Sequence, residues 1–135
     1  MISITTGFSF AAVIAMAGAA MATGPKGKVV PNLHLKNGET VKVSGAGFPH
    51  NVTFFILECN KTVRKMGGIA CDEDNVVSAN SDAKGRVPAT RFTVHTGGIG
   101  DGMCGTSQDD KKCYIVFADS LKSDVASVGI LFKVP

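Results

Sequence analysis

Glycine, asparagine and aspartate interrupt this chain at short intervals from Asn37 to Gly129, and no stretch between them carries a helical pattern. What lies between the interruptions favours strands. Lys28–Leu35 (KVVPNLHL) reads as an opening strand, and its proline puts it at a sheet edge. Asn37-Gly38 is a turn pair. Thr40–Ser44 alternates, with Val41 and Val43 on one side. Val52–Cys59 (VTFFILEC) is the strongest strand, and Val76–Ala79 is a short one before the turn Asp82–Gly85. Thr90–His95 alternates again. Residues 96–102 (TGGIGDG) read as a glycine-rich loop. Cys113–Ala118 (CYIVFA) is a second strong strand, and Val125–Val134 closes the chain. Seven strands and no helix predict an all-β fold, a seven-stranded immunoglobulin-like Greek-key β-sandwich. There is no Trp, so the Cys, Trp, Cys pattern of antibody domains is missing.

Four cysteines, Cys59, Cys71, Cys104 and Cys113, fix the compartment more than the fold. An even count in an exported chain reads as two disulfides. Three connectivities can be drawn. The sequential one is favoured, because each pair would then staple one local hairpin. Loops that short contribute about 3 kcal/mol each. A four-cysteine zinc site would want a C-x₂-C pair, and there is none.

Export is suggested by the N-terminus. Residues 1–25 hold no charged side chain, and positions 8–22 are apolar or small apart from Ser9. That run is short for a membrane span, which needs about 20 apolar residues. It ends in Ala20-Met21-Ala22, a small-x-small pattern that suits signal-peptide cleavage before Thr23. The usual basic n-region is absent. The reading is a cleaved signal peptide over 1–22 and one domain over 23–135, secreted and without stable membrane insertion. The net charge of +3 is mild, with mixed signs. Lys61, Arg64 and Lys65 make a small basic cluster and Asp72, Glu73 and Asp74 an acidic one; neither is a nucleic-acid stripe.

One departure from sandwich logic points to a binding face. A strand in a simple sandwich buries one face and wets the other. Phe54, Phe55, Ile56 and Leu57 put apolar groups on both faces, and so do Tyr114 to Ala118. If the two strands are neighbours, one sheet has a second apolar face that something must cover. A ligand cleft would cover it. So would the 60–71 segment, through Val63, Met66 and Ile69.

The residues also resemble a known family. Val41-Lys42-Val43-Ser44-Gly45-Ala46-Gly47-Phe48 is similar to the V-x-V-x-G-x-G-L/F signature of the neocarzinostatin family, the apoproteins of enediyne antibiotics. Glu58-Cys59 with Ile69-Ala70-Cys71 resembles its first disulfide hairpin. Ala79–Gly85 (ANSDAKG) resembles its A-D-A-x-G turn, Cys104 and Cys113 its second pair, and Val128–Phe132 its closing strand. The resemblance spans about residues 28–134. It implies a secreted seven-stranded sandwich, disulfides Cys59–Cys71 and Cys104–Cys113, and a cleft for a non-covalent enediyne-like chromophore. It implies a monomeric carrier of a small apolar molecule, which meets DNA only through that ligand and performs no enzymatic step. The cleft wall it implies, taken with the doubly apolar strands, is Phe55, Leu57, Ile69, Val76, Tyr114, Val116 and Ala118. Several of these differ from the family. Phe55 replaces an aspartate, Leu57 and Val116 replace glycines, Val76 an aromatic residue and Ala118 a serine. The family's tryptophan after the first cysteine is lost to a polar stretch around Lys61.

Catalytic motifs are missing. There is no G-x-S-x-G elbow, H-E-x-x-H or P-loop. His34, His50 and His95 are scattered, and Asp72-x-Asp74 lacks the remainder of a calcium loop. Paired cysteines leave no thiol nucleophile. Asn51-Val52-Thr53 and Asn60-Lys61-Thr62 are glycosylation sequons only in a eukaryotic host. The expectation is a binding protein, not an enzyme: a carrier of an apolar, enediyne-like ligand, with antibiotic activity through that ligand. The competing expectation is an immunoglobulin-like interaction module at the cell envelope with no chromophore.

Overall fold

A computed structural model describes residues 24–64, 70–119 and 124–135. The leader reading over 1–22 and the wall residue Ile69 lie outside them, as does Met66. Among the described residues there are nine strands and one 3₁₀ turn, Lys61–Arg64. The strands are β1 (Lys26–Val30), β2 (Thr40–Ala46), β3 (Thr53–Cys59), β4 (Val77–Asn80), β5 (Val87–Thr93), β6 (Gly97–Ile99), β7 (Gly102–Cys104), β8 (Lys112–Ala118) and β9 (Asp124–Leu131). Seven of them form two sheets, ordered β1-β2-β5 and β4-β3-β8-β9, with every pairing antiparallel.

The sheets pack as the alternation predicts. Val29, Val41, Val43, Val87 and Phe92 enter the core from one sheet; Phe54, Ile56, Ile115, Phe117 and Ile130 enter from the other. Between them sits Phe48, its ring centroid 4.9 Å from Phe54 and 5.0 Å from Phe117. Two glycines make the room. Gly27 and Gly45 are direct partners across β1 and β2. A Cβ on Gly27 would lie 2.4 Å from Phe117 Cε1, and one on Gly45 would lie 2.4 Å from Phe48 Cε2. Gly45 of the signature and Gly27 of β1 thus open a bay that two phenylalanine rings fill.

The opening strand is shorter than expected. It stops at Val30, where Pro31 removes a backbone donor. The chain then crosses to the other sheet. Leu35 N–H donates to Leu131 O at 3.0 Å and Lys133 N–H to Leu35 O at 2.8 Å, which closes that side of the sandwich.

Residues 96–102 correct the sequence reading. They are not a loop; Gly97–Ile99 and Gly102–Cys104 pair as a two-stranded ribbon around Gly100-Asp101. Gly100 has φ of 62°, the positive value that a tight hairpin needs at its first turn position. Glycine density hid the strands because it lowers apparent strand propensity.

Both sequential disulfides are formed, Cys59–Cys71 and Cys104–Cys113. The second is not a hairpin staple. It joins the ribbon strand β7 to the sheet strand β8 across a bend that folds around Asp110. Asp110 Oδ1 accepts from Thr106 N at 2.7 Å and Ser107 N at 2.8 Å, and its other oxygen accepts from the Thr106 hydroxyl.

The bay gives a direct test. Gly27→Ala forces a methyl into the Phe117 ring and is expected to cost about 1–3 kcal/mol of stability. Denaturant melts should show that combining it with Phe117→Leu costs less than the two single changes together. Full additivity would mean the rings do not need the glycine.

Candidate functional site

The two doubly apolar strands are neighbours. In β3 and β8, Phe55 pairs with Ala118, Leu57 with Val116 and Cys59 with Tyr114. Because strand side chains alternate, Ile115 and Phe117 enter the core while Tyr114, Val116 and Ala118 point from the opposite face. Val116 is only 1% exposed and Ala118 7%, although neither belongs to the core between the sheets. Phe55, Leu57 and Tyr114 are half-buried. Val76 sits just before β4, in line with Leu57, and is exposed. The register therefore gathers five of the seven expected wall residues on the outer face of the four-stranded sheet, with Val76 at its margin. The 3₁₀ turn Lys61–Arg64 lies against β8, and Val63 in it is half-buried.

The sequence reading missed the frame of this face. Ser78 pairs with Phe55, Ser127 with Val116 and Gly129 with Tyr114. Lys112 belongs to the same outward series as Tyr114. Its ammonium lies 5.7 Å from the Tyr114 ring centroid, within cation–π range. A Cβ on Gly129 would approach Lys112 Cε to 3.2 Å, so the glycine leaves the lysine stem its path. The alternation 112, 114, 116, 118 held this information.

The centre of the face is filled. Leu57 and Val116, at positions where the family resemblance implies glycine, are direct cross-strand partners. Their Cβ atoms are thus about 5 Å apart. The two bulky replacements occupy one spot.

On the core side of the same strand lies a residue read in the sequence only as part of a motif. Glu58 is fully buried. Its Oε1 accepts the His95 backbone N–H at 2.8 Å, while Oε2 has no partner. Burial pushes its pKa up from 4.5 to about 7; the His95 hydrogen bond opposes this and the Asp72 carboxylate adds to it. Next to it, buried Asn60 donates from Nδ2 to Ile99 O at 2.7 Å and to Asp101 Oδ1 at 3.0 Å. Its Oδ1 accepts from Thr62 N at 2.8 Å and Thr62 Oγ1 at 2.6 Å. Lys61 Nζ pairs with Asp109 Oδ2 at 2.7 Å. Asn60 and Lys61 thus tie the first disulfide loop to the ribbon and to the second disulfide loop.

Other features place no chemistry here. A shallow depression over His34 and Lys36–Glu39 is polar and lies in the turn before β2. Among the described residues, no group of three His, Cys, Asp or Glu gathers as metal ligands would.

Comparison with known proteins agrees with this architecture. The model of the neocarzinostatin family matches residues 28–132. Among solved structures, macromomycin superposes with a TM-score of 0.64 at 24% identity, covering 82% of this chain and 100% of that one. Apokedarcidin superposes with a TM-score of 0.54 at 22% identity, with the same coverage. No curated protein matches the chain.

Glu58 sets the pH dependence. Its folded pKa, about 7, lies above its ordinary value of 4.5, so the folded state holds the proton more tightly. Its favourable contribution is complete below pH 4.5 and is lost as pH rises to about 7. Relative to Glu58→Gln, the wild type should lose about 3 kcal/mol of stability over that range. Denaturant melts at about pH 5 and about pH 8 read it, and parallel curves for the two proteins would contradict it.

Proposed function

This chain belongs to the neocarzinostatin family, and on that premise we propose that it is a secreted carrier that binds and shields a small apolar ligand of the enediyne-chromophore type. One observation carries the reading: Phe55, Leu57, Tyr114, Val116 and Ala118 gather in register on a sheet face that the core does not use. The chain already covers Val116 and Ala118, which are 1% and 7% exposed, so a ligand would complete the cover over half-buried Phe55, Leu57 and Tyr114 and exposed Val76, where apolar area left wet costs about 25 cal/mol per Å². An apolar ligand seated there would be held by rigid walls, with Ser78, Ser127 and the Lys112 ammonium at the rim to fix its orientation.

In this reading the protein contributes binding and exclusion of water, and the reactivity belongs to the ligand. Antibiotic action follows from ligand release and damage to DNA, without contact between polypeptide and DNA. Two disulfides suit life outside the cell. The carrier is monomeric and needs no catalytic group.

A second reading has its own observation. Leu57 and Val116 meet where two glycines would leave space. A face filled in this way suits a flat partner, as an envelope interaction module would offer, better than a bulky chromophore.

Native mass spectrometry of the protein purified from its own producer separates the two. The carrier predicts a mass above that of the bare polypeptide, from a ligand lost on denaturation. Tyr114 is the only Tyr and there is no Trp. Its fluorescence should therefore change when an apolar aromatic probe is titrated in. Leu57→Gly with Val116→Gly should tighten binding of a bulky probe. A bare mass together with an unresponsive Tyr114 would remove the carrier reading.

A further inference from the structure

The three-stranded sheet carries a charge pattern that the linear sequence conceals. Lys26 and Lys28 on β1, Lys42 on β2 and Arg91 on β5 are all exposed and point away from the core. No Asp or Glu occurs in any of the three strands. The chain has 14 cations and 11 acids, so the other 10 cations leave everything outside this sheet at −1. The whole net positive charge sits on one sheet.

The arrangement is unfavourable for folding. Lys42 and Arg91 are direct cross-strand partners. Like charges placed directly opposite destabilise a sheet, and among the described residues no carboxylate pairs with either. Lysines on an edge strand commonly guard against edge-to-edge pairing. That accounts for Lys26 and Lys28, and for Arg91 on the opposite edge strand β5. It does not account for Lys42 on the central strand.

Apolar residues adjoin the same face. Val30 is the direct partner of Lys42, so Val30, Lys42 and Arg91 form one row across the sheet. Val30 is 51% exposed, and Leu33 just beyond it is 50% exposed. Pro31 between them is also exposed. A polyanion such as DNA would use the cations and gain nothing from Val30 or Leu33. A lipid surface would use both, since headgroups attract the cations and the acyl boundary accepts apolar side chains.

We propose that the outer face of β1-β2-β5 docks peripherally on an anionic bilayer, with Lys26, Lys28, Lys42 and Arg91 against the headgroups and Val30 and Leu33 entering the acyl boundary. This face is on the opposite side of the sandwich from the ligand face, and the proposal stands whether or not a ligand is carried. A docked molecule would hold the Phe55–Val116 face away from the membrane.

Vesicle flotation tests it with the purified protein as its host releases it. Vesicles of phosphatidylcholine alone are compared with vesicles containing added phosphatidylglycerol. Wild type should float with the anionic vesicles, not with the neutral ones, and should detach in about 0.5 M NaCl. Residues 1–25 hold no charge, so they cannot supply that selectivity. Each cation near an anionic surface is worth about fivefold in partition, so Lys42→Glu should weaken binding about 25-fold. Val30→Ser with Leu33→Ser should weaken it about tenfold or more. Lys42→Glu places a carboxylate opposite Arg91, so its melting temperature should not fall, and the loss is then not unfolding. Equal flotation of wild type and Lys42→Glu, or no flotation with anionic vesicles, overturns the proposal. So does a gel shift of duplex DNA, without vesicle binding, that survives the Val30→Ser, Leu33→Ser change; that result assigns the face to nucleic acid.

Discussion

The closure of this sandwich depends on two side chains that are missing. Gly27 and Gly45 face each other across β1 and β2, and the space they leave admits Phe117 from one sheet and Phe48 from the chain after β2. Phe48 then reaches Phe54 as well, so one ring touches both strands that build the outer face. A close-packed interior tolerates little added volume. The glycines therefore set how near the two sheets approach. They also set how firmly Phe54 and Phe117 are held from the core side, and those residues alternate with Phe55 and Val116 on the far side. The signature run that ends in Gly45-Ala46-Gly47-Phe48 is in this sense a packing element. It makes a rigid platform and leaves the chemistry of the platform's other surface free to vary.

That freedom is visible in β8. The strand buries Cys113, Ile115 and Phe117 inward and Val116 and Ala118 outward. A strand apolar on both faces lacks the inside-outside contrast that normally fixes register, so its position rests on its pairing with β3 and β9. Leu57 and Val116 then shape the outer surface without entering the core between the sheets. The fold is shared with macromomycin and apokedarcidin at 24% and 22% identity.

Much of this was legible in the sequence because strand periodicity is a local property. The alternation of Val41 with Val43, and the unbroken apolar runs at 54–57 and 114–118, predicted both the sheets and the second apolar face. The sequential disulfides followed from short spacing. What escaped depended on pairing. The ribbon at 97–104 was hidden by glycines that become strand only through their partners, Gly97 with Cys104, Gly98 with Met103 and Gly102 with Ile99. Glu58 looked like a motif residue, and only burial shows it to be an isolated carboxyl reaching the His95 backbone. Lys112 and Gly129 are 17 residues apart and become one feature only through the β8–β9 register. The basic sheet was likewise invisible, since Lys26, Lys28, Lys42 and Arg91 never cluster along the chain.

Asn60 holds three loops together with every hydrogen-bonding position of its amide in use, and it is also the first residue of a sequon. The nitrogen that an oligosaccharide would occupy is the one that donates to Ile99 O and Asp101 Oδ1. A sugar at Asn60 would replace one of those two N–H groups on a side chain that is 1% exposed, and so would break at least one tie to the ribbon. Asn51, in the other sequon, is exposed at a turn and has no such conflict. In a host that attaches glycans while the chain is still unfolded, the docking of this loop on the ribbon would compete with the host's own processing. The choice of cell in which the protein is made thus becomes a structural variable.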